Sequence, residues 1–267
     1  MRRLVLHSMK ALFLSALIGL STWSGTARAD ALADIIDSGV VRIGVPKDFP
    51  PFGAVAASGQ LEGYDIDVAT LLAKDLGVKL ELVPVTSANR IPYLLTDKVD
   101  IVISSLGVNP ERAKAIAFST PYAPFFSGVF GAPDIDVREP ADLRGKKVAV
   151  TRDTLEDIEL AKIAPKDVEI LRFEDNDATI SAYLAGRTEL IATGNLVAAA
   201  LAKAHPGKRI ERKFTIKDSP SSIGVPQGEA NLLHWVNVFV FHKKLGGELD
   251  QLSRKWFGEP LPPLPIL

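Results

Sequence analysis

Hydrophobic and polar positions in the first half of the chain alternate between short apolar runs and amphipathic segments. The apolar runs predict strands over Val40–Val45, Leu80–Val85 and Val99–Ser104. Apolar residues at helical spacing predict helices over Asp65–Leu76 and Asn89–Leu95, between those strands. Strand–helix–strand alternation is typical of a largely parallel sheet with right-handed crossovers. The pattern therefore predicts an α/β lobe in this half of the chain.

The alternation begins again near Pro140, which predicts a second α/β lobe. Its expected elements, alternately strand and helix, are Lys146–Thr151, Thr154–Ile163, Val168–Phe173, Ala178–Leu184, Leu190–Thr193 and Leu196–Ala202. Two apolar strands, Phe126–Ala132 and Ser222–Val225, flank this set and are candidates for the segments that connect two lobes. Two amphipathic helices follow, over Leu232–Leu245 and Leu249–Trp256.

Charge and composition limit the classes of function. The chain has 267 residues, with 31 Lys and Arg against 32 Asp and Glu, and it contains no cysteine. The balanced charge argues against nucleic acid as a partner, and the absence of cysteine excludes disulfides, thiolate metal sites and cysteine nucleophiles. Because the sequence has no catalytic, phosphate-binding or metal-ligand motif, we expect neither a metal nor a cofactor.

The N-terminus has the pattern of a secretory signal peptide. Three basic residues precede an apolar run, Ala11–Leu20, which is followed by Ala27-Arg28-Ala29. Cleavage near Ala29 would remove four basic residues and no acidic one, so the formal charge of −1 would become −5. Since no lipid-anchoring cysteine follows, we expect a freely diffusing protein in a periplasm.

Candidate site residues follow the predicted strands, because ligands of open α/β sheets bind beyond the carboxyl ends of the strands. In segment 104–112, Ser105, Gly107 and Arg112 combine a hydroxyl, an accessible backbone and a guanidinium, which suits a carboxylate. Asn109 and Pro110 predict a helix start there. The full candidate set is Phe49, Phe52, Ser87, Arg90, Ser105, Gly107, Arg112, Asp153, Thr154, Asn176, Gly194 and Asn195. Taken singly, each arginine is more typical of a solvated surface residue, and each phenylalanine is as typical of a core residue as of a ligand contact.

Several motifs in this order resemble family 3 of the bacterial extracellular solute-binding proteins, the polar-amino-acid receptors of ABC importers. The signature is Gly63-Tyr64-Asp65-Ile66-Asp67-Val68, and similar blocks are Asp48–Phe52, Lys98–Arg112, Phe118–Tyr122, Leu143–Val148 and Lys255–Phe257. The resemblance extends over the whole mature chain.

The resemblance implies a two-lobed periplasmic-binding-protein fold of type II, in which each lobe is a mostly parallel sheet flanked by helices and two hinge strands join the lobes. It implies a first lobe of residues 30–131 plus 222–267 and a second lobe of residues 132–221. It also implies a non-enzymatic monomer that binds a small amino acid or carboxylate and delivers it to a membrane permease.

Individual residue roles also follow from the resemblance alone. The position of Arg112 implies a ligand for the α-carboxylate, to which Ser105, Gly107 and Thr154 would add donors. Phe49 would cover the ligand. Ser87 and Arg90 are similar to the residues that hold a side-chain carboxylate in glutamate and aspartate receptors.

Two departures from the family pattern leave the ligand open. Gly194-Asn195 stands where the family usually has an aspartate for the ligand's ammonium, and Asp153 replaces a glycine. The ammonium would then be held by Asp153, Asn195 or Asp177, or the ligand would be a carboxylate without one. An exported dehydratase-like enzyme that uses Asp153, or a ligand-sensing receptor subunit, are the alternative functions.

Overall fold

Two mixed sheets, each flanked by helices, form the core of residues 30–266, the part of the chain that the computed structural model describes. The helices are α1 (Ala31–Ser38), α2 (Tyr64–Leu76), α3 (Arg90–Leu95), α4 (Leu155–Ile163), α5 (Asn176–Leu184), α6 (Asn195–Ala204), α7 (Ala230–Gly246) and α8 (Glu248–Phe257). The strands are β1 (Val40–Pro46), β2 (Asp48–Phe49), β3 (Gly53–Val55), β4 (Leu61–Glu62), β5 (Lys79–Val85), β6 (Ile101–Gly107), β7 (Ile116–Phe118), β8 (Phe126–Gly131), β9 (Lys147–Thr151), β10 (Glu169–Phe173), β11 (Leu190–Gly194), β12 (Glu211–Asp218) and β13 (Ser221–Pro226).

The first sheet has the strand order β5-β1-β6-β13-β7. Strand β1 pairs in parallel with β5 and β6, and Ile43 lies opposite Leu82 on one side and Ile101 on the other. Strand β13 joins the sheet antiparallel to β6 and β7. All residues of β6 are buried, as expected for a central strand that helices cover on both faces.

The second sheet repeats this arrangement in the order β10-β9-β11-β8-β12. Strands β10, β9 and β11 are parallel neighbours, whereas β8 runs antiparallel to β11 and β12. The two-lobed α/β fold expected from the sequence is therefore present, with antiparallel strands on one side of each sheet.

The two connections between the lobes run side by side. The Ser219 amide donates to the Phe125 carbonyl at 3.0 Å, and the Ser221 amide donates to the Ala123 carbonyl at 2.9 Å. The segments expected as connectors, Phe126–Ala132 and Ser222–Val225, are instead full strands, β8 of the second sheet and β13 of the first. The crossings lie just before these strands, because both apolar segments have enough buried partners to pair within a sheet.

Helix α2 packs its apolar face onto the first sheet, where Tyr64, Val68 and Leu72 are fully buried. It begins one residue before the expected Asp65, and Gly63 occupies the N-cap position without a side-chain cap. A Cβ atom at Gly63 would lie 2.2 Å from the Phe52 carbonyl oxygen, and φ is 144°, so the tight turn into α2 requires glycine.

Some short elements differ from the sequence prediction. The helix expected after Pro110 is only a 3-10 turn over Arg112–Lys114. Helix α1 and the short strands β2, β3, β4 and β7 were not predicted, since too few residues repeat in each to establish a period. Strand β12 was also not predicted, because its eight residues are mostly polar and contain no apolar run. Between residues 30 and 266, no helix combines the length and apolar character needed to cross a membrane. The predicted signal peptide lies outside the described residues.

Candidate functional site

A small cavity lies between the two lobes, at the ends of their strands. Its lining is Phe49, Ser87, Arg90, Ser105, Gly107, Phe125, Thr154, Leu155, Glu156 and Ser219. The first lobe, the start of α4 in the second lobe, and the two crossing segments all contribute to it. This is the position at which open α/β sheets bind ligands.

Half of the candidate residues from the sequence line this cavity and half do not. The structure brings together Phe49, Ser87, Arg90, Ser105, Gly107 and Thr154. It places Phe52, Arg112, Asp153, Asn176, Gly194 and Asn195 outside the lining. Each member of the second group has a contact that explains its position.

Phe52 is a core residue of the first lobe. Its side chain is fully buried, and its ring packs on Phe257 at 5.2 Å and edge-on against Tyr64 at 6.2 Å between ring centroids. Phe49, which stacks on Phe52, extends toward Phe125 and lines the cavity. Only one of the two predicted aromatic residues therefore forms a wall of the cavity.

Arg90 is a buried cation that faces the cavity. Only 6% of the residue is exposed, Nη1 donates to the Ser104 carbonyl oxygen, and the buried Nε has no hydrogen-bond partner among the described residues. Burial, together with repulsion from Arg112, lowers the pKa of Arg90 to about 9, although Glu156 opposes this shift. At neutral pH Arg90 is therefore charged and has hydrogen-bonding capacity left for an anion.

Arg112 spans the cleft at the edge of the cavity. Nη1 donates to the Gly107 carbonyl and Nη2 to the Asp153 carbonyl, each at 2.9 Å, so the guanidinium joins the end of β6 to the second lobe. Burial lowers the pKa of Arg112, against the opposing attraction of Glu156 and Asp153. Two of its five N–H groups are thus engaged with neutral backbone groups.

The start of α4 is held by Thr154. Its hydroxyl donates to the Thr151 carbonyl at 2.8 Å and accepts the Asp157 amide at 3.2 Å, which makes Thr154 the N-cap. The preceding Asp153 has an exposed side chain and a positive φ of 61°. The carboxylate of Asp153 therefore does not enter the cavity, and its backbone carbonyl is the group that contacts Arg112.

Asn176 closes a second contact between the lobes. Its backbone N–H donates to the Asp48 carboxylate at 2.8 Å, and its side-chain oxygen accepts a hydrogen bond from the Thr151 hydroxyl at 2.8 Å. Burial raises the pKa of Asp48, because the carboxylate lies between β2 and the start of α5. Asn176 is consequently saturated by protein groups away from the cavity.

Gly194 and Asn195 lie behind Phe125. A Cβ atom at Gly194 would lie 2.2 Å from the Phe125 ring, so this ring occupies the space that any side chain at position 194 would need. The Asn195 side-chain oxygen accepts the Phe126 amide at 3.0 Å and so fixes the start of β8. Neither residue offers a group to the cavity.

A buried network supports Ser105 at the end of β6. The Asp65 carboxylate accepts the Ser105 amide at 2.7 Å and the Tyr122 hydroxyl at 2.6 Å, and the Tyr64 hydroxyl donates to the Tyr122 carbonyl. Complete burial raises the pKa of Asp65 to about 7. Ser105 has a positive φ of 41°, a strained conformation that this network stabilises.

Glu156 is the principal site residue that the sequence did not identify. It is the second residue of α4 and only 6% exposed, and its Oε1 atom is buried without a hydrogen-bond partner within residues 30–266. An acidic residue in the first turn of a helix is ordinarily explained by the helix dipole, so the sequence gives no separate signal. Phe125, Leu155 and Ser219 were also missed, because their roles depend on contact between the lobes.

The site therefore combines the Arg90 guanidinium, the Glu156 carboxylate and short polar groups beneath an aromatic wall, with the Arg112 guanidinium at its edge. Nowhere in residues 30–266 do three or more histidine, aspartate or glutamate side chains meet in a group that could hold a metal ion. Arrangements of this kind bind a small ionic molecule by enclosing it between two lobes.

Comparisons with known proteins agree with this architecture. Residues 41–259 match the model of the bacterial extracellular solute-binding proteins, family 3. The chain is 28% identical, over 96% of each chain, to the ABC transporter glutamine-binding protein GlnH of Bacillus subtilis (strain 168). It is 34% identical to the solved solute receptor for L-cysteine of Neisseria gonorrhoeae, with a TM-score of 0.78 over 84% of this chain and 92% of that one.

A third relative is an ancestral amino acid-binding protein, described as a precursor of cyclohexadienyl dehydratase. Its crystal structure matches with 34% identity and a TM-score of 0.78, over 86% of this chain and all of that one.

Proposed function

The chain belongs to family 3 of the bacterial extracellular solute-binding proteins, and from that premise we propose that it captures a polar amino acid or a related small carboxylate for the permease of an ABC importer. The observation that carries this proposal is Arg90, a buried guanidinium in the cavity whose Nε has no partner among the described residues. An anion is the ligand that such a group binds most strongly.

In the proposed mechanism the ligand first binds to the first lobe. Arg90, Ser87 and Ser105 receive a carboxylate, and Phe49 covers the apolar part of the ligand. The second lobe then closes by bending at the two crossings and adds the start of α4 to the site. Because contacts from both lobes exist only in the closed form, ligand shifts the population toward that form, which the permease recognises.

We propose that the mature protein is a monomer in the periplasm, exported by a signal peptide cleaved near Ala29. Family members are extracellular binding proteins, and this location supports the proposal. The resemblance implies a first lobe of residues 30–131 with 222–267 and a second lobe of residues 132–221. We propose this division with one change: the first boundary lies before Phe126, because β8 pairs with β11 and β12.

An enzyme is the second candidate, supported by Glu156 and by the dehydratase precursor among the similar structures. Asp153, the acid suggested by the sequence, is exposed, whereas Glu156 lines the cavity. In a dehydratase, the acid form of Glu156 would protonate a leaving hydroxyl as water departs, while a carboxylate leaves as CO₂ and its electron pair forms the new double bond. Turnover of prephenate that disappears in Glu156→Gln would establish this function instead.

A thermal-shift screen of residues 30–267 tests the proposed function. The panel contains the standard amino acids and the dicarboxylates succinate and glutarate. Ligand at ~100 times its Kd adds about 2.7 kcal/mol to the free energy of unfolding, which raises the melting temperature measurably. We expect one or a few compounds to do so. A folded protein that responds to no member of the panel would contradict the proposal.

A further inference from the structure

Glu156 is the feature of the cavity that the proposed function leaves unexplained. Its side chain is more than nine-tenths buried at the start of α4, yet Oε1 has no hydrogen-bond partner in the described part of the chain. A buried carboxylate oxygen without a partner is costly, and each such group in a folded protein calls for an explanation, of which a ligand is one.

The cations near Glu156 do not pair with it. Within residues 30–266, the side-chain hydrogen bonds of Arg90 and Arg112 go to the carbonyl oxygens of Ser104, Gly107 and Asp153. Both guanidiniums lie close enough to Glu156 to interact with it electrostatically. The cavity thus has one guanidinium and one carboxylate in its lining and the Arg112 guanidinium at its edge, each with hydrogen-bonding capacity left for a ligand.

The sequence suggested three other residues for the ligand's ammonium, Asp153, Asp177 and Asn195, and none of them lines the cavity. Asp153 and Asp177 are exposed, and Asn195 bonds to the backbone at Phe126 behind the aromatic wall. The Phe125 ring fills the space beside Gly194, where a side chain from the end of β11 would otherwise project. Glu156 is the acidic side chain in the cavity lining.

From this arrangement we propose that the Glu156 carboxylate receives the ammonium group of the ligand, and that the ligand is a small amino acid with two carboxylates. Such a molecule carries two negative groups and one positive group, the complement of Arg90, Arg112 and Glu156. A neutral amino acid would offer a carboxylate to only one of the two guanidiniums. This inference rests on the proposed function and specifies its ligand.

The test compares ligands that differ only in the ammonium, using calorimetry on residues 30–267. The probes are L-glutamate with glutarate and L-aspartate with succinate. The wild-type protein should bind the better amino acid at least about tenfold more tightly than its partner without the ammonium. Glu156→Gln keeps the shape of the side chain and removes its charge, so it should abolish this preference while the plain dicarboxylate binds equally or more tightly.

Glu159→Gln is the matched control. Glu159 lies in the same helix and pairs with Lys162 and Lys217 outside the cavity, so its loss should leave the ligand preference unchanged. The unliganded Glu156→Gln protein should keep the far-ultraviolet circular dichroism spectrum of the wild type, with a melting temperature lowered only by the lost attraction between Glu156 and the guanidiniums of Arg90 and Arg112.

The possible failures are distinct. An equal loss of affinity for both ligands in Glu156→Gln, or an unchanged ratio of the two affinities, would overturn the role of Glu156. Binding of only neutral or basic amino acids by the wild type would overturn the ligand class and leave the proposed function standing. Absence of binding to every amino acid and dicarboxylate would remove the proposed function itself.

Discussion

Asp65 illustrates how single buried residues determine the geometry of this site. Its carboxylate is fully buried in the first turn of α2 and holds the Ser105 amide and the Tyr122 hydroxyl. Both partners belong to the support of the cavity wall at the end of β6. The same burial that makes Asp65 an effective anchor makes its ionised form costly, which is why its pKa rises to about 7.

Asp65 should make stability depend on pH between about 4 and 7. In that window the Asp65 side chain keeps a proton in the folded protein and has released it in the unfolded chain, so the free energy of unfolding falls as pH rises. Below and above the window, the contribution of Asp65 to the free energy of unfolding does not change with pH. Urea titrations of wild type and Asp65→Asn should show the stability difference, wild type minus variant, falling with pH by at most about 1.4 kcal/mol per unit. Asp37→Asn, at an exposed position, is the control, and parallel curves for wild type and Asp65→Asn would contradict the assignment.

Among the elements, the hydrophobic pattern predicted α2 because its apolar residues recur at helical spacing, and it predicted the central strands β1 and β6 because each is a short, nearly continuous apolar run. The rule that open α/β sheets bind ligands beyond the ends of their strands selected Arg90, Ser105 and Gly107, which line the cavity. It did not predict Glu156 or Phe125, because contact between lobes is distant in sequence and leaves no local pattern. Phe52 and Asn195 were expected in the site, but the structure has Phe52 in the core and Asn195 bonded to the Phe126 amide. Only tertiary packing distinguishes such contacts from a ligand contact.

The close approach of β6 and α4 depends on Gly107. A Cβ atom there would lie 2.3 Å from Leu155 Cδ1 and 2.4 Å from Ser219 Oγ, so Gly107→Ala should hold the lobes apart. We expect ligand affinity to fall about tenfold, equivalent to about 1.4 kcal/mol, with an unchanged far-ultraviolet circular dichroism spectrum. Gly207→Ala, which adds a methyl group in open space, should bind as the wild type does. Equal affinities in calorimetry for both variants would show that this contact does not limit closure.

For the whole molecule, the proposed function requires that the two lobes close on a small ionic ligand. Hydrogen bonds between the lobes include those of Asp48 with Asn176, away from the cavity, and of Arg112 with the Asp153 carbonyl, at its edge. The mature chain would carry a net charge of −5, so its overall field repels anions, and capture of a carboxylate must depend on the local guanidiniums. Closure is therefore the step that joins binding to recognition by a permease.

Pulsed dipolar spectroscopy can test whether the ligand closes the two lobes, because it measures the distance between them. The chain contains no cysteine, so Lys114→Cys and Glu174→Cys would place one spin label on each lobe beside the Arg112–Asp153 contact. We expect a broad distance distribution without ligand and a shorter, narrower one with a saturating amino acid from the screen, preferably L-glutamate or L-aspartate. A distribution that stays unchanged with every amino acid and dicarboxylate would contradict it.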